Sequence, residues 1–166
     1  MMNEIAAIGT KLVTYTLGKG TPIVMLGGMG TGHAYLRPGM DVLADDFQLV
    51  YYDPRGTGNS PLGDEGRVTL GGSVEDLDAL RAGLGLDRLN VVGHSFGADL
   101  ALCYAGRYPE RVQSLVLVSP GPPLTPDHRR IYRIPTFPPF PTGARSLCHM
   151  RQSSTWRLGA ICLGRH

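Results

Sequence analysis

The sequence predicts an α/β fold, a mostly parallel sheet with flanking helices, and three observations carry the prediction. Short apolar runs alternate with helical stretches from Lys11 to Pro120, the rhythm of strands joined by crossover helices. Three of the runs, residues 47–52, 89–92 and 114–118, are apolar almost throughout, as strands buried on both faces of a parallel sheet are. Finally, Gly93-His94-Ser95-Phe96-Gly97 stands directly between one such run and an Ala/Leu-rich stretch, where a strand must turn sharply into a helix.

Taken in order, residues 11–17 read as a first strand. Gly18-Lys19-Gly20 then turns the chain into a second, residues 22–26. The third strand is 47–52. A helix follows, with Ser73 expected as its N-cap and Glu75 and Asp76 in its first turn, where negative charge is favoured. Val74, Leu77, Leu80 and Leu84 form its apolar stripe, and Gly83 and Gly85 mark its end. After the fourth strand, 89–92, a second helix runs from about Phe96 to Arg107. Pro109 stops it, because proline lacks the N–H that the next turn needs. The fifth strand is 114–118.

The 166 residues are 42% hydrophobic and 18% charged, a balance that suits one soluble globular domain with a real core. The net charge of +2 hides a split. Residues 1–127 hold nine basic and fourteen acidic side chains, whereas residues 128–166 hold seven arginines and no acid. The organisation expected is a partial core over 1–122 and a Pro/Arg-rich tail over 123–166. That tail has no strand or helix period, reads as the start of a cap segment or as out-of-frame sequence, and is expected to be disordered. A basic tail is also what a nucleic-acid or membrane adaptor would carry. The favoured reading assigns the tail no such role and expects neither a nucleic-acid nor a membrane partner.

The first ten residues lack a basic leader followed by an apolar run. No stretch approaches the ~18 consecutive apolar residues of a membrane span. Three cysteines at irregular spacing form neither a disulfide framework nor a zinc pattern, and Cys103, set among Ala and Leu, reads as a small buried hydrophobe. A cytoplasmic protein without a metal is expected.

Chemistry concentrates at the Gly-x-Ser-x-Gly segment. A strand turning straight into a helix holds its central residue in a strained conformation, and side chains two residues to either side would collide. Ser95 would then project above the sheet edge, beside free N–H groups at a helix start. The simpler alternative is that Ser95 only caps the helix. His94 is adjacent in sequence but directed away from Ser95 by the turn, and is read as structural. A second cluster, Gly27-Gly28-Met29-Gly30-Thr31-Gly32, follows the second strand. It fits a dinucleotide loop, with Asp53 ending the next strand, or an oxyanion loop with the Gly28 N–H facing Ser95. Arg37-Pro38-Gly39 cuts short the helix that a dinucleotide needs, which favours the oxyanion loop.

These blocks, joined by Asp53-Pro54-Arg55-Gly56-Thr57-Gly58-Asn59-Ser60 and by Arg107-Tyr108-Pro109-Glu110-Arg111-Val112, together resemble the α/β-hydrolase superfamily from about Gly9 to Pro122. The glycine loop and the Asp-x-Arg block are similar to its prolyl-aminopeptidase-like branch, and the His-Ser-Phe elbow to its esterases and C–C hydrolases. The resemblance implies the N-terminal part of that fold without its late strands. It implies Ser95 as nucleophile, the N–H groups of Gly28 and Phe96 as the oxyanion hole, Asp53 and Arg55 as structural braces, and no cofactor. The chain departs from the pattern where Leu26 replaces a histidine that steadies the oxyanion loop.

In the family the acid and histidine of the triad follow the nucleophile. Here Asp127 is the last acid, and His128, His149 and His166 follow no recognisable late strand. The function expected is a serine hydrolase that opens an ester or amide bond of a small molecule through a Ser95 acyl-enzyme, impaired by truncation. A prolyl-aminopeptidase-like peptidase and a non-catalytic ligand-binding protein on the same core are the alternatives.

Overall fold

The computed structural model describes residues 1–120 and the pair 163–164. Seven strands form one sheet: β1 (Met2–Ala7), β2 (Thr10–Leu17), β3 (Pro22–Leu26), β4 (Gln48–Tyr52), β5 (Leu89–His94), β6 (Val112–Val118) and β7 (Leu163–Gly164). Their order is β1-β2-β4-β3-β5-β6-β7. The four central strands β4, β3, β5 and β6 run parallel, and Val50, Val24, Val91 and Leu115 lie in one row across them. The hairpin β1–β2 joins one side antiparallel. At the other side β7 pairs antiparallel with Ser114 and Leu115, a short strand where no strand period was expected. The rest of the expected tail lies outside the described residues.

β1 is also an addition to the five expected strands. Its face is mostly exposed and only Ile5 is buried, so it shows little of the apolar run by which the other strands announce themselves. Ile5 packs against the main core, whose members come from the sheet and from the helices α2 (Leu70–Gly83) and α3 (Phe96–Arg107). A smaller cluster on the opposite face gathers Met25, Leu49 and Tyr51 under Leu36. It sits below short helical turns at His33–Tyr35 and Asp41–Asp45 and the one-turn helix α1 (Arg37–Met40). That cover lies over β3 and β4. Hence β4 is buried on both faces as expected, whereas β5 alternates between buried and half-buried residues and β6 is buried only toward its end, at Leu115, Leu117 and Val118.

The start of α2 differs from expectation. Thr69, not Ser73, is the N-cap: it is extended and its hydroxyl accepts the Gly72 N–H at 3.0 Å. Ser73 lies one turn inside and donates to the Thr69 carbonyl at 3.1 Å. Glu75 and Asp76 therefore fall in the second turn and serve as ion-pair partners, Glu75 of Arg67 and Arg107 and Asp76 of Arg55. α3 matches the expected bounds. Cys103 on it is buried, and burial pushes its thiol up to about 11, which leaves it protonated and inert.

Candidate active site

β5 delivers the chain to Ser95, which adopts φ 54° and ψ −124° before α3 begins at Phe96. A non-glycine residue at positive φ is strained, by about 1–3 kcal/mol. The surroundings enforce the conformation. The Ser95 N–H donates to the Val118 carbonyl at 3.0 Å, and its own carbonyl accepts the Ala98 N–H at 2.8 Å. The flanking glycines are steric necessities. A Cβ on Gly93 would lie 2.7 Å from Ala98 Cα, and one on Gly97 would lie 2.7 Å from the Gly27 carbonyl oxygen. The elbow thus forms only where three chain segments touch at backbone distance, and it leaves Ser95 exposed. The N–H groups of Phe96 and Gly97, at the very start of α3, have no acceptor within the helix.

The glycine loop does not start a helix: the first helical turn begins at His33, past Gly32. Its Gly28 N–H donates to the Tyr35 hydroxyl at 2.5 Å, and that hydroxyl lies 3.0 Å from His94 Nδ1. Tyr35 therefore ties the loop to the elbow, and any oxyanion that uses the Gly28 N–H must displace it. His94 is taken up in this contact. Leu26 is buried in the main core, and it is Tyr35 that holds the loop. Sequence reasoning missed Tyr35, since nothing local distinguishes a tyrosine seven residues past a glycine.

Asp53 and Arg55 act as braces. Asp53 accepts from the N–H groups of His33 and Asn59, both at 2.9 Å, from the Tyr15 hydroxyl at 3.1 Å and from the His33 ring at 2.8 Å. Burial alone would raise its carboxyl, but those backbone and ring donors outweigh it and hold the group below the usual carboxylate range. Arg55 grips Asp76 through two 2.6 Å bonds. His33, whose ring stacks on Tyr15 with centroids 3.6 Å apart, was also not singled out from sequence. Both described histidines thus have other partners, His33 in Asp53 and His94 in Tyr35, and the other three lie outside the described residues, as does Asp127.

One consequence is measurable without a substrate. Ser95→Gly removes the positive-φ penalty at the cost of a more flexible unfolded chain, and a net gain of about 1 kcal/mol is expected. A urea melt checks it, and an unchanged or lower midpoint would mean that the serine conformation is not strained.

A parallel sheet with a serine at positive φ between a central strand and a helix is the framework of nucleophile-elbow enzymes. The comparison with known families agrees. The chain belongs to the alpha/beta hydrolase fold family, whose model matches residues 21–156. Among curated relatives, a protein of Enterobacter cloacae assigned as the carbamate hydrolase RutD is 35% identical over 116 residues, which cover 69% of this chain and 44% of that one. A proline iminopeptidase of Heyndrickxia coagulans is 36% identical over 105 residues, 62% of this chain and 36% of the relative. An epoxide hydrolase of Bacillus megaterium superposes with a TM-score of 0.67 at 28% identity, covering 79% of this chain and 46% of that structure. The chain spans less than half the length of these proteins. None of its described helices is long and apolar enough to cross a membrane.

Proposed function

We propose that this chain carries the nucleophile half of a serine hydrolase that opens an ester or amide bond of a small molecule. The observation that carries the reading is the strained, exposed Ser95 on its elbow. Strain of this kind persists only where the surrounding structure over-determines it, and it clusters at reactive sites. Ser95 Oγ attacks the carbonyl carbon, and the carbonyl oxygen takes up negative charge as the tetrahedral intermediate forms. The Phe96 N–H and the Gly28 N–H, the latter exchanging its Tyr35 partner, stabilise that charge. Collapse expels the alcohol or amine and leaves an acyl-Ser95 ester, which water hydrolyses. The hydroxyl proton needs a base, because an unassisted serine is a poor nucleophile at neutral pH. Both described histidines are occupied, so activity of the described core alone is weak. A cytoplasmic location belongs to the same reading, and the unpaired Cys103 thiol fits a reducing compartment.

The test is covalent labelling by a fluorophosphonate, followed by intact mass and peptide mapping. The phosphonyl group is expected on Ser95, with the rate of labelling falling at least about a thousandfold in Ser95→Ala. Labelling elsewhere, or none, would sink the nucleophile and move the ligand-binding alternative ahead.

A further inference from the structure

A chamber of about 690 Å³ opens beside the elbow. It is enclosed by the glycine loop, the end of β4 and the starts of α2 and α3, and both Gly28 and Phe96 are in its wall. Its size is that of a small-molecule site. Its chemistry is unusually one-sided. Met29, Val68, Leu70, Phe96 and Leu100 supply apolar surface. The two charged residues in the wall, Arg55 and Asp76, are spent on each other, with side chains only 3% and 5% exposed. The wall hydroxyls are engaged too: Thr57 and Ser73 donate to the Pro54 and Thr69 carbonyls, and the Thr69 hydroxyl accepts the Gly72 N–H.

One hydroxyl in the wall makes no such bond. Tyr52 lines the chamber and is 4% exposed, and its hydroxyl has no hydrogen-bond partner among the described residues. Burial, reinforced by the charge of Asp76, holds that hydroxyl protonated well above the usual phenol range. It is a neutral donor available to an acceptor in the chamber. At the mouth, Met29 and Val68 are 62% and 58% exposed, apolar surface that a ligand would cover.

We infer that this chamber binds the apolar part of an uncharged substrate, an alkyl or aryl group carrying one hydrogen-bond acceptor for the Tyr52 hydroxyl. A substrate with an ammonium or a carboxylate in this position finds no charge free to meet it, and burying an unpaired charge is expensive. The inference deepens the serine-hydrolase reading by naming its substrate class, and it rests on that reading only for turnover.

The full chain, ¹⁵N-labelled, is titrated with hexanamide, hexylammonium and hexanoate, in wild type and in Ser95→Ala. Hexanamide is expected to shift the amides of Gly28, Gly30 and Gly71 equally in both proteins, and to bind at least about tenfold more tightly than either charged probe. Tyr52→Phe should weaken it about threefold or more. Val68→Glu, a change at an exposed position that the fold tolerates, should weaken it also. Equal affinity for the three probes, or shifts that bypass these glycines, would overturn the inference. Unchanged affinity in Tyr52→Phe and Val68→Glu together would do the same. Hexanamide binding without phosphonylation of Ser95 sinks the nucleophile and leaves the chamber standing, whereas phosphonylation without hexanamide binding does the reverse.

Discussion

Asp76→Ala is expected to cost about 3–5 kcal/mol, enough to unfold much of the protein at room temperature. The change removes one small carboxylate, but what it leaves behind sets the magnitude. Arg55 is held with its Nε and Nη2 on the two Asp76 oxygens, both at 2.6 Å, and the side chains are almost fully buried. The guanidinium cannot shed its proton to escape, because arginine stays charged throughout the accessible pH range. Its remaining contacts, the Asp64 and Ile8 carbonyls at 3.3 and 3.2 Å, are too weak to replace a carboxylate. Arg55 joins the loop after β4, helix α2, the segment around Asp64 and the β1–β2 turn, so its loss of a partner is felt in all four. A urea melt followed by far-ultraviolet circular dichroism measures the cost. The double variant Arg55→Met, Asp76→Leu should recover a large part of it, since buried ion pairs often exchange for hydrophobes at little net cost. A loss under about 1 kcal/mol in the single variant would show that the pair is not the brace its geometry indicates.

The same pair shows how far the sequence can be read. The Asp-x-Arg-Gly-x-Gly-x-Ser block was legible as a brace only through its resemblance to the α/β-hydrolase superfamily. The partner, Asp76, was not legible as one. Its place three residues past Ser73, the expected N-cap, suggested a first-turn acid, and only the Thr69 cap puts it one turn deeper and inward. Central strands were legible because burial on both faces, or on one face of a parallel ladder, leaves a run of Val and Leu. β1 was not, because an edge strand needs only one buried side chain, Ile5, to hold its place. At the site, Ser95 was legible through its glycines, whose requirement is steric and local. Tyr35 and His33 were not, because each meets its partner, His94 or Asp53, across 59 or 20 residues of chain. Chemistry of that kind is written in the topology and not in any spacing along the chain.

Gly97→Ala is the second large effect, and it separates the elbow's geometry from its chemistry. The methyl group would collide with the Leu26 carbonyl, with its centre 2.6 Å from Leu26 C and 2.7 Å from the Gly27 oxygen. No flexible side chain is available to yield, since every obstacle is backbone. Relief requires either that α3 lift from the end of β3 or that the glycine loop retreat. Overpacking a close-packed region usually costs about 1–3 kcal/mol and occasionally more, and a backbone obstacle puts this variant at or above the top of that range. Either relief also moves the Gly28 N–H relative to Ser95 and breaks the Tyr35 contact that joins them. The expected result is a loss of about 3 kcal/mol or more in urea, together with a shifted Gly28 amide resonance and slower labelling of Ser95 in whatever fraction remains folded. A control sits at Ala98, one residue along and itself fully buried. Ala98→Gly removes a methyl instead of adding one, so it should destabilise α3 by about 1 kcal/mol while leaving the Gly28 resonance in place. If Gly97→Ala instead keeps full stability and an unmoved Gly28 amide, the close approach of α3 to the glycine loop is wrong, and with it the argument that the fold, not the serine, creates the strain at position 95.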